Sequence, residues 1–121
     1  MPESVAARLH AASARRREER LAAARSLATA LGTRGATRVL LFGSLAAPGT
    51  WIGENSDVDL AVVMPGVDAI RFHRRLSGDP DVGAFPFALD LLVYTPEEWA
   101  RLCRDRGFVR DEVAGRGLTL V

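Results

Sequence analysis

The segment 39–63 constrains the fold of this 121-residue chain more than any other stretch. A short apolar run there ends in Gly43 and Ser44, and a glycine-rich connection leads to a second apolar run that opens with Asp57 and Asp59. Short runs of branched apolar residues that are separated by glycine and proline are typical of β-strands joined by a loop. The segment therefore predicts two strands, over 37–42 and 57–64.

The two aspartates lie on one face of the second predicted strand. Side chains alternate along a strand, so Asp57 and Asp59 point the same way. The alternate positions are apolar and suit a sheet that packs on a core: Val58, Leu60, Val62 and Met64. Two adjacent carboxylates repel each other unless a cation lies between them, and hard oxygen ligands favour Mg²⁺ or Mn²⁺. The pair predicts a metal site.

A third carboxylate, Asp90, occurs within a later apolar run over 87–94. If this run is a strand, its odd-numbered apolar residues form one face and Asp90 projects from the other. A lone aspartate in such a strand would be costly if it were buried without a partner. A metal ion shared with the first two aspartates would be that partner.

These motifs, in this order, resemble the minimal nucleotidyltransferase family of the DNA polymerase β-like superfamily. The resemblance extends over roughly 31–99 and rests on Leu41-Phe42-Gly43-Ser44, on Ser56-Asp57-Val58-Asp59-Leu60-Ala61-Val62 and on Asp90. It implies an α/β domain, in the α+β sense, with a small mixed β-sheet flanked by helices and the acids clustered at one edge.

The resemblance also implies a site and a reaction. Asp57, Asp59 and Asp90 would be the catalytic and metal-binding residues of two Mg²⁺ ions about 4 Å apart, with Mn²⁺ as the alternative. Gly43 and Ser44 would contact the phosphates of ATP. An acceptor hydroxyl would attack the α-phosphorus, pyrophosphate would leave, and an AMP ester would form. The implied partner is a HEPN-domain toxin, so the chain would be the antitoxin of a HEPN/MNT pair and would adenylylate a toxin tyrosine.

Two departures from the family pattern leave a second function open. Leu45 and Ala47 occupy positions at which members usually carry arginine, and the connection from Ser44 to Asp57 is longer than the commonest form. These departures favour a catalytically impaired antitoxin that neutralises its partner by binding alone. The presence of all three aspartates favours the enzyme, which is the leading expectation.

Length and charge predict the number of domains and limit the kinds of partner that the protein can bind. The chain is expected to be a single domain over 1–121, in which residues 1–20 form an N-terminal helix that can protrude. The net charge of +1 gives no general attraction to polyanions, so direct nucleic-acid binding is not expected. No membrane span or signal peptide is recognisable, which predicts a cytoplasmic protein. Homo-oligomers and hetero-oligomers both stay open.

Three helices are predicted around the strands, and the first includes the N-terminal helix just described. The first runs from Ser4 to Leu31, with Gly32 as its stop. It contains a charged run at 15–20, interpreted as a solvated face or, alternatively, as a docking surface for a protein or RNA partner. A second helix is expected over 68–78 and a third, with a capping box, over 95–106. The second carries three arginines that are interpreted as mostly solvent-facing, with one of them as an alternative ligand for the triphosphate: Arg71, Arg74 and Arg75.

Two other features have a structural and a functional interpretation. Trp51 either covers the loop, which is the favoured interpretation, or stacks on a nucleobase. Asp79 and Asp81 copy the Asp-x-Asp spacing, but Pro80 lies between them and no strand follows, so they are interpreted as loop acids. The tail predicts a last helical turn and a short extended end over 118–121.

Overall fold

The computed structural model describes residues 4–66 and 78–121. In chain order its elements are α1 (Val5–Thr33), β1 (Arg38–Phe42), a 3-10 turn (Ser44–Ala46), β2 (Val58–Val63), α2 (Pro80–Gly83), β3 (Leu89–Tyr94), α3 (Pro96–Arg104), a π-helical segment (Val109–Ala114) and β4 (Leu118–Thr119). The helix expected over 68–78 lies almost wholly outside the described residues, as do its three arginines, Arg71, Arg74 and Arg75.

The four strands form one mixed sheet in the order β3-β2-β1-β4. β1 is antiparallel to β2 and to β4, whereas β2 is parallel to β3. Helices pack against this sheet, which confirms the predicted α+β class. The extended end of the tail joins the sheet as β4, where Leu118 pairs with Leu41.

Each face of the sheet is covered by its own apolar cluster. On one face, Val39, Leu41 and Leu60 pack against the second half of α1, in which Ala28 and Leu31 are fully buried. The other face is covered by α3 and the π-helical segment, through a cluster of Leu40, Phe42, Ala61, Val63, Trp99, Val109 and Val113. Alternation along the strands places the even-numbered residues of β1 and the odd-numbered residues of β2 on this second face.

Helix α1 begins as predicted but ends two residues beyond Leu31. The backbone N–H of Ala7 donates to Ser4 Oγ at 3.0 Å, which caps the start of the helix. Gly32 is not the stop, since it lies inside the helix and a Cβ at that position would be 3.5 Å from the side chain of Val121. Gly35 ends the helix in a left-handed conformation, with φ of 106°.

Helix α3 follows the capping box that the sequence predicts. Thr95 Oγ1 accepts from the backbone N–H of Glu98 at 3.2 Å, and Glu98 Oε1 accepts from the backbone N–H of Thr95 at 3.3 Å. The helix ends at Arg104 and so is two residues shorter than expected. Across 4–66 and 78–121, no helix combines the length and the apolar character needed to cross a bilayer.

Asp79 and Asp81 belong to a short helix rather than to a plain loop. Asp79 Oδ1 accepts from the backbone N–H groups of Asp81 and Val82, at 2.8 and 3.1 Å, and so caps α2. Both aspartates also form ion pairs with Arg34, and Arg34 Nη1 lies 2.6 Å from Asp79 Oδ2. These acids therefore tie α2 to the end of α1.

Candidate functional site

The sheet brings Asp59 and Asp90 together on neighbouring strands. Asp59 pairs with Asp90 in the parallel register of β2 and β3, and with Phe42 in the antiparallel register of β1 and β2. Paired residues of adjacent strands, which lie about 4.8 Å apart, project from the same face. This face is the one covered by α3 and the π-helical segment, and Asp59 is half-buried there while Asp90 is exposed.

Asp57 completes a group of three interacting carboxylates. It lies one residue before β2 and is exposed. The pKa of Asp59 is raised above its ordinary value, first because burial disfavours the charged form and then because the charges of Asp90 and Asp57 repel it. The three predicted site aspartates are thus close enough for the charges of Asp57 and Asp90 to affect Asp59.

Gly43 lies directly against the Asp59 carboxylate. A Cβ at position 43 would overlap Asp59 Oδ2 and would lie 3.2 Å from Asp59 Cγ. Gly43 also has φ of 75°, a conformation that residues with a Cβ rarely adopt. Glycine is therefore required at position 43 for two reasons. It permits the backbone conformation of the turn, and it leaves room for the Asp59 carboxylate.

Three arginines of α1 hold the connection between Ser44 and Asp57. Arg17 donates to the carbonyl oxygens of Leu45 and Thr50 at 2.6 and 2.7 Å, near the start of this connection. Arg16 donates to the carbonyl of Ile52 at 3.3 Å. These bonds correct the interpretation of the charged run as a solvated face, which applies to Arg15, Glu18 and Glu19 but not to the arginines that face the connection.

Arg20 is the most buried of these arginines, with only 3% of its surface exposed. It donates to the carbonyl oxygens of Glu54 and Ser56, at 2.9 and 3.2 Å, just before the first aspartate of the site. Its guanidinium also lies over the ring of Phe87, 4.2 Å from the ring centroid. Arg20 thus connects α1, the end of the long connection and the approach to β3.

Sequence reasoning missed the role of Arg17 and Arg20, although a signal existed. The apolar stripe of α1 at Leu31, Leu27 and Ala24 continues backward at helical spacing to Arg20 and then to Arg17. Arginines that continue a buried stripe are expected to reach acceptors in the interior rather than solvent. The connection they hold is rich in carbonyl groups outside regular structure, which are such acceptors.

A cavity of about 590 Å³ lies beside the Gly-Ser turn. Its lining combines the turn with part of the tail: Gly43, Ser44, Ala46, Ala47, Pro48, Glu112 and Arg116. This volume falls within the usual range for small-molecule sites, about 300–1,000 Å³. Gly43 borders this cavity and also lies against the Asp59 carboxylate, but none of the three aspartates is among the lining residues.

Comparison with known proteins gives no relative. No family model, curated protein or solved structure matches this chain.

Trp51 lies away from this cavity. Its side chain is 48% exposed and lines a separate cleft with His10, Ser13 and Arg17 of α1. It thus lies against α1, beside the loop, and is absent from the lining of the cavity at Gly43 and Ser44 among the residues described.

The three carboxylates fit a hard divalent cation in donor chemistry and in placement on the sheet. Burial and then the charges of Asp90 and Asp57 raise the pKa of Asp59, and a bound cation would offset these effects. Within the described ranges, no three His, Cys, Asp or Glu side chains are close enough together to constitute a metal cluster. The case for a cation site therefore rests on the register that pairs Asp59 with Asp90 and on the repulsion of Asp59 by its two acidic neighbours.

Proposed function

We propose that this chain is a nucleotidyltransferase that transfers AMP from ATP to a hydroxyl acceptor. The observation that carries the proposal is the pairing of Asp59 with Asp90 on neighbouring strands, directly beside Gly43 and its cavity. The resemblance to minimal nucleotidyltransferases also supports the proposal, because it rests on these same residues. We place the reaction in the cytoplasm, where ATP is available.

Each residue of the site has a role in this reaction. Asp57, Asp59 and Asp90 would hold the divalent cations, Mg²⁺ or Mn²⁺. When bound, these ions neutralise phosphate oxygens and lower the pKa of the acceptor hydroxyl. Ser44 is exposed and lines the cavity, so its hydroxyl is available to donate to a phosphate oxygen.

The transfer is a single displacement at the α-phosphorus. The acceptor oxygen forms a bond to that phosphorus, the bond to the bridging oxygen of the β-phosphate breaks, and pyrophosphate leaves with the electron pair. The proton of the acceptor passes to the exposed carboxylate of Asp90 and then to water. Catalysis by this chain consists of positioning and charge neutralisation.

The proposed acceptor is a tyrosine of a HEPN-domain toxin, and the chain is its antitoxin. The described part of the chain offers one cavity at the Gly-Ser turn, shared between the turn and the tail. A partner protein that carries its own hydroxyl needs no second pocket on this chain.

A second candidate is an antitoxin that neutralises its partner by binding alone. Leu45 favours it, because this residue is 2% exposed and belongs to the apolar cluster beneath α1. A core side chain at that position cannot present a cation to a phosphate. Unless another residue supplies the cation, the Gly-Ser turn binds a triphosphate weakly.

The test is intact mass spectrometry of a co-expressed HEPN-domain partner after incubation with this protein, Mg²⁺ and ATP. The enzyme adds one or more AMP units to the partner, and the Asp57→Asn and Asp90→Asn variants add none. Asp105→Asn, which changes an exposed aspartate at the end of α3, is the matched control and retains the transfer. An unmodified partner in a stable complex would instead support binding alone.

A further inference from the structure

The cavity beside the Gly-Ser turn needs a positive charge if it is to hold a polyphosphate. One of its lining residues, Gly43, lies against the carboxylate of Asp59, which is repelled by two other carboxylates. A nucleoside triphosphate would bring several more negative charges into this region. The turn itself supplies none to offset them, because Leu45, Ala46 and Ala47 follow Ser44.

The tail of the chain brings an arginine to this position. β4 is antiparallel to β1, and Leu118 pairs with Leu41. Continuing that register by two residues places Arg116 opposite Gly43. Arg116 is the one basic residue among the described residues that line the cavity.

Close packing of the tail against β1 fixes this placement. A Cβ on Gly117 would lie 3.0 Å from the carbonyl oxygen of Leu41, and the backbone N–H of Gly117 donates to the carbonyl of Val113 at 2.8 Å. A Cβ there would also overlap the carbonyl of Val113, so Gly117 allows the backbone next to Arg116 to pack closely against both the π-helical segment and β1. The backbone of Arg116 is held while its side chain, 77% exposed, is accessible to a ligand.

The present partner of Arg116 is one that an anion can replace. Arg116 Nη1 lies 3.7 Å from Glu112 Oε2, and both side chains are largely exposed. Exposed ion pairs at this spacing on a helix are weak because solvent screens them. A phosphate group accepts two parallel hydrogen bonds from a guanidinium and is the stronger acceptor.

We propose that Arg116 binds the polyphosphate group of the nucleotide in the cavity beside Gly43 and Ser44. The proposal rests on the nucleotidyltransferase function above and names the residue that holds the anion. Glu112 competes for Arg116 when the cavity contains no anion. A segment distant in sequence thereby provides the cation that the turn lacks.

The test measures binding of inorganic tripolyphosphate, without divalent cations, by calorimetry on the full chain. Arg116→Gln should weaken binding about tenfold, as expected for the loss of a bidentate charge-assisted contact. Glu112→Gln should strengthen it, because Arg116 then has no competing partner. Arg110→Gln is the matched control. Arg110 lies six residues before Arg116, in the π-helical segment, and Arg110 Nε lies 3.3 Å from Asp111 Oδ1, but Arg110 does not line the cavity. This variant should bind like the unmodified chain.

The outcomes separate this inference from the proposed function. Equal weakening by Arg116→Gln and Arg110→Gln would overturn the inference, since general electrostatics would then account for binding. Undetectable tripolyphosphate binding by the unmodified chain would also overturn it. If AMP transfer occurs but is as fast in Arg116→Gln as in the unmodified chain, with unchanged tripolyphosphate affinity, only the inference fails. If transfer fails but binding depends on Arg116, only the proposed function fails.

Discussion

Asp59 is the residue where the constraints of sheet, turn and charge meet. It pairs with Asp90 on one side and with Phe42 on the other, and Gly43 makes room for its carboxylate. Burial and two neighbouring carboxylates disfavour its charged form. Three neighbouring acids repel one another and lower stability, so their arrangement supports the proposed cation site.

The raised pKa of Asp59 predicts how stability depends on pH when divalent cations are absent. The folded state binds the Asp59 proton more tightly than the unfolded state, so the contribution of Asp59 to stability is greatest below the ordinary pKa of 3.8 and is lost as pH rises through the raised value. Asp59→Asn removes this loss. At neutral pH the variant should therefore melt at a higher temperature than the unmodified chain, and the difference should shrink as pH falls toward 3.8.

Thermal melts in a chelating buffer across that pH range check this prediction. Asp105→Asn, at the exposed end of α3, is the control and should show no such trend. Addition of Mg²⁺ should then raise the melting temperature of the unmodified chain more than that of Asp59→Asn, because a ligand of the native state stabilises it. A variant that is less stable than the unmodified chain at neutral pH would contradict the interaction described for the three carboxylates.

Gly43 and Gly49 form a matched pair for a second prediction. Both have φ of 75°, but a Cβ on Gly49 has no atom within 4 Å, whereas a Cβ on Gly43 would overlap Asp59. Each change to alanine should cost on the order of 1–3 kcal/mol of unfolding free energy from backbone strain. Only Gly43→Ala should also displace the Asp59 carboxylate and weaken the stabilisation by Mg²⁺. Equal Mg²⁺ responses in the two variants would show that the contact does not matter for the site.

At this scale the sequence was highly informative. The period of two along β2 predicts that Asp57 and Asp59 share a face, and the apolar run around Asp90 predicts the strand that carries it. The parallel register that pairs Asp59 with Asp90 could not be predicted, because no local pattern sets which residues of distant strands lie opposite each other. The contact between Gly43 and Asp59 depends on that same three-dimensional arrangement.

At the scale of elements, the long connection from Ser44 to Asp57 is organised by α1. Its carbonyl groups are acceptors for Arg16, Arg17 and Arg20. The connection also gains a buried bond from the backbone N–H of Ile52 to Ser13 Oγ, at 2.9 Å. These bonds restrain the backbone of the connection and so fix the position of Asp57, the first aspartate of the site.

Arg20→Met tests this organisation. Methionine keeps much of the apolar stem but leaves the carbonyls of Glu54 and Ser56 without their charged donor. The expected loss of unfolding free energy is about 2–3 kcal/mol, as for hydrogen bonds to a charged group in the interior. Arg25→Met, on an exposed position of the same helix, should change it by no more than about 0.5 kcal/mol. Denaturant titrations give both values. A loss below about 1 kcal/mol for Arg20→Met would show that the connection from Ser44 to Asp57 keeps its conformation without the hydrogen bonds of Arg20.

The elements also show where sequence reasoning reaches its limit. The capping box at Thr95 and the cap at Ser4 are local, and both were predicted correctly. β4 was expected only as an extended end, because two residues carry too little pattern to indicate a partner strand. The placement of Arg116 beside Gly43 depends on that pairing, so the tail was not recognised as part of the cavity.

At the scale of the whole molecule, α1 is divided by its packing into two halves. The second half covers one face of the sheet, and Ala24, Ala28 and Leu31 are fully buried there. At its start, residues 5–11 are all exposed, including two large apolar side chains, Val5 at 63% and Leu9 at 50%. Since most helix stability in proteins comes from tertiary packing, these first turns should open before the rest of the helix.

Hydrogen exchange measures this difference directly. Amides from Leu9 to Ala12 should exchange quickly through local opening, whereas those from Leu27 to Leu31 should exchange only through global unfolding. In complex with a HEPN-domain partner, protection of the first half should rise if it is the docking surface, because ordering of those turns then adds to the interface. Leu9→Glu should weaken the complex without changing protection in the second half. Unchanged protection of the first half in a complex that forms normally would place the interface elsewhere, and the exposed turns would then be no part of partner binding.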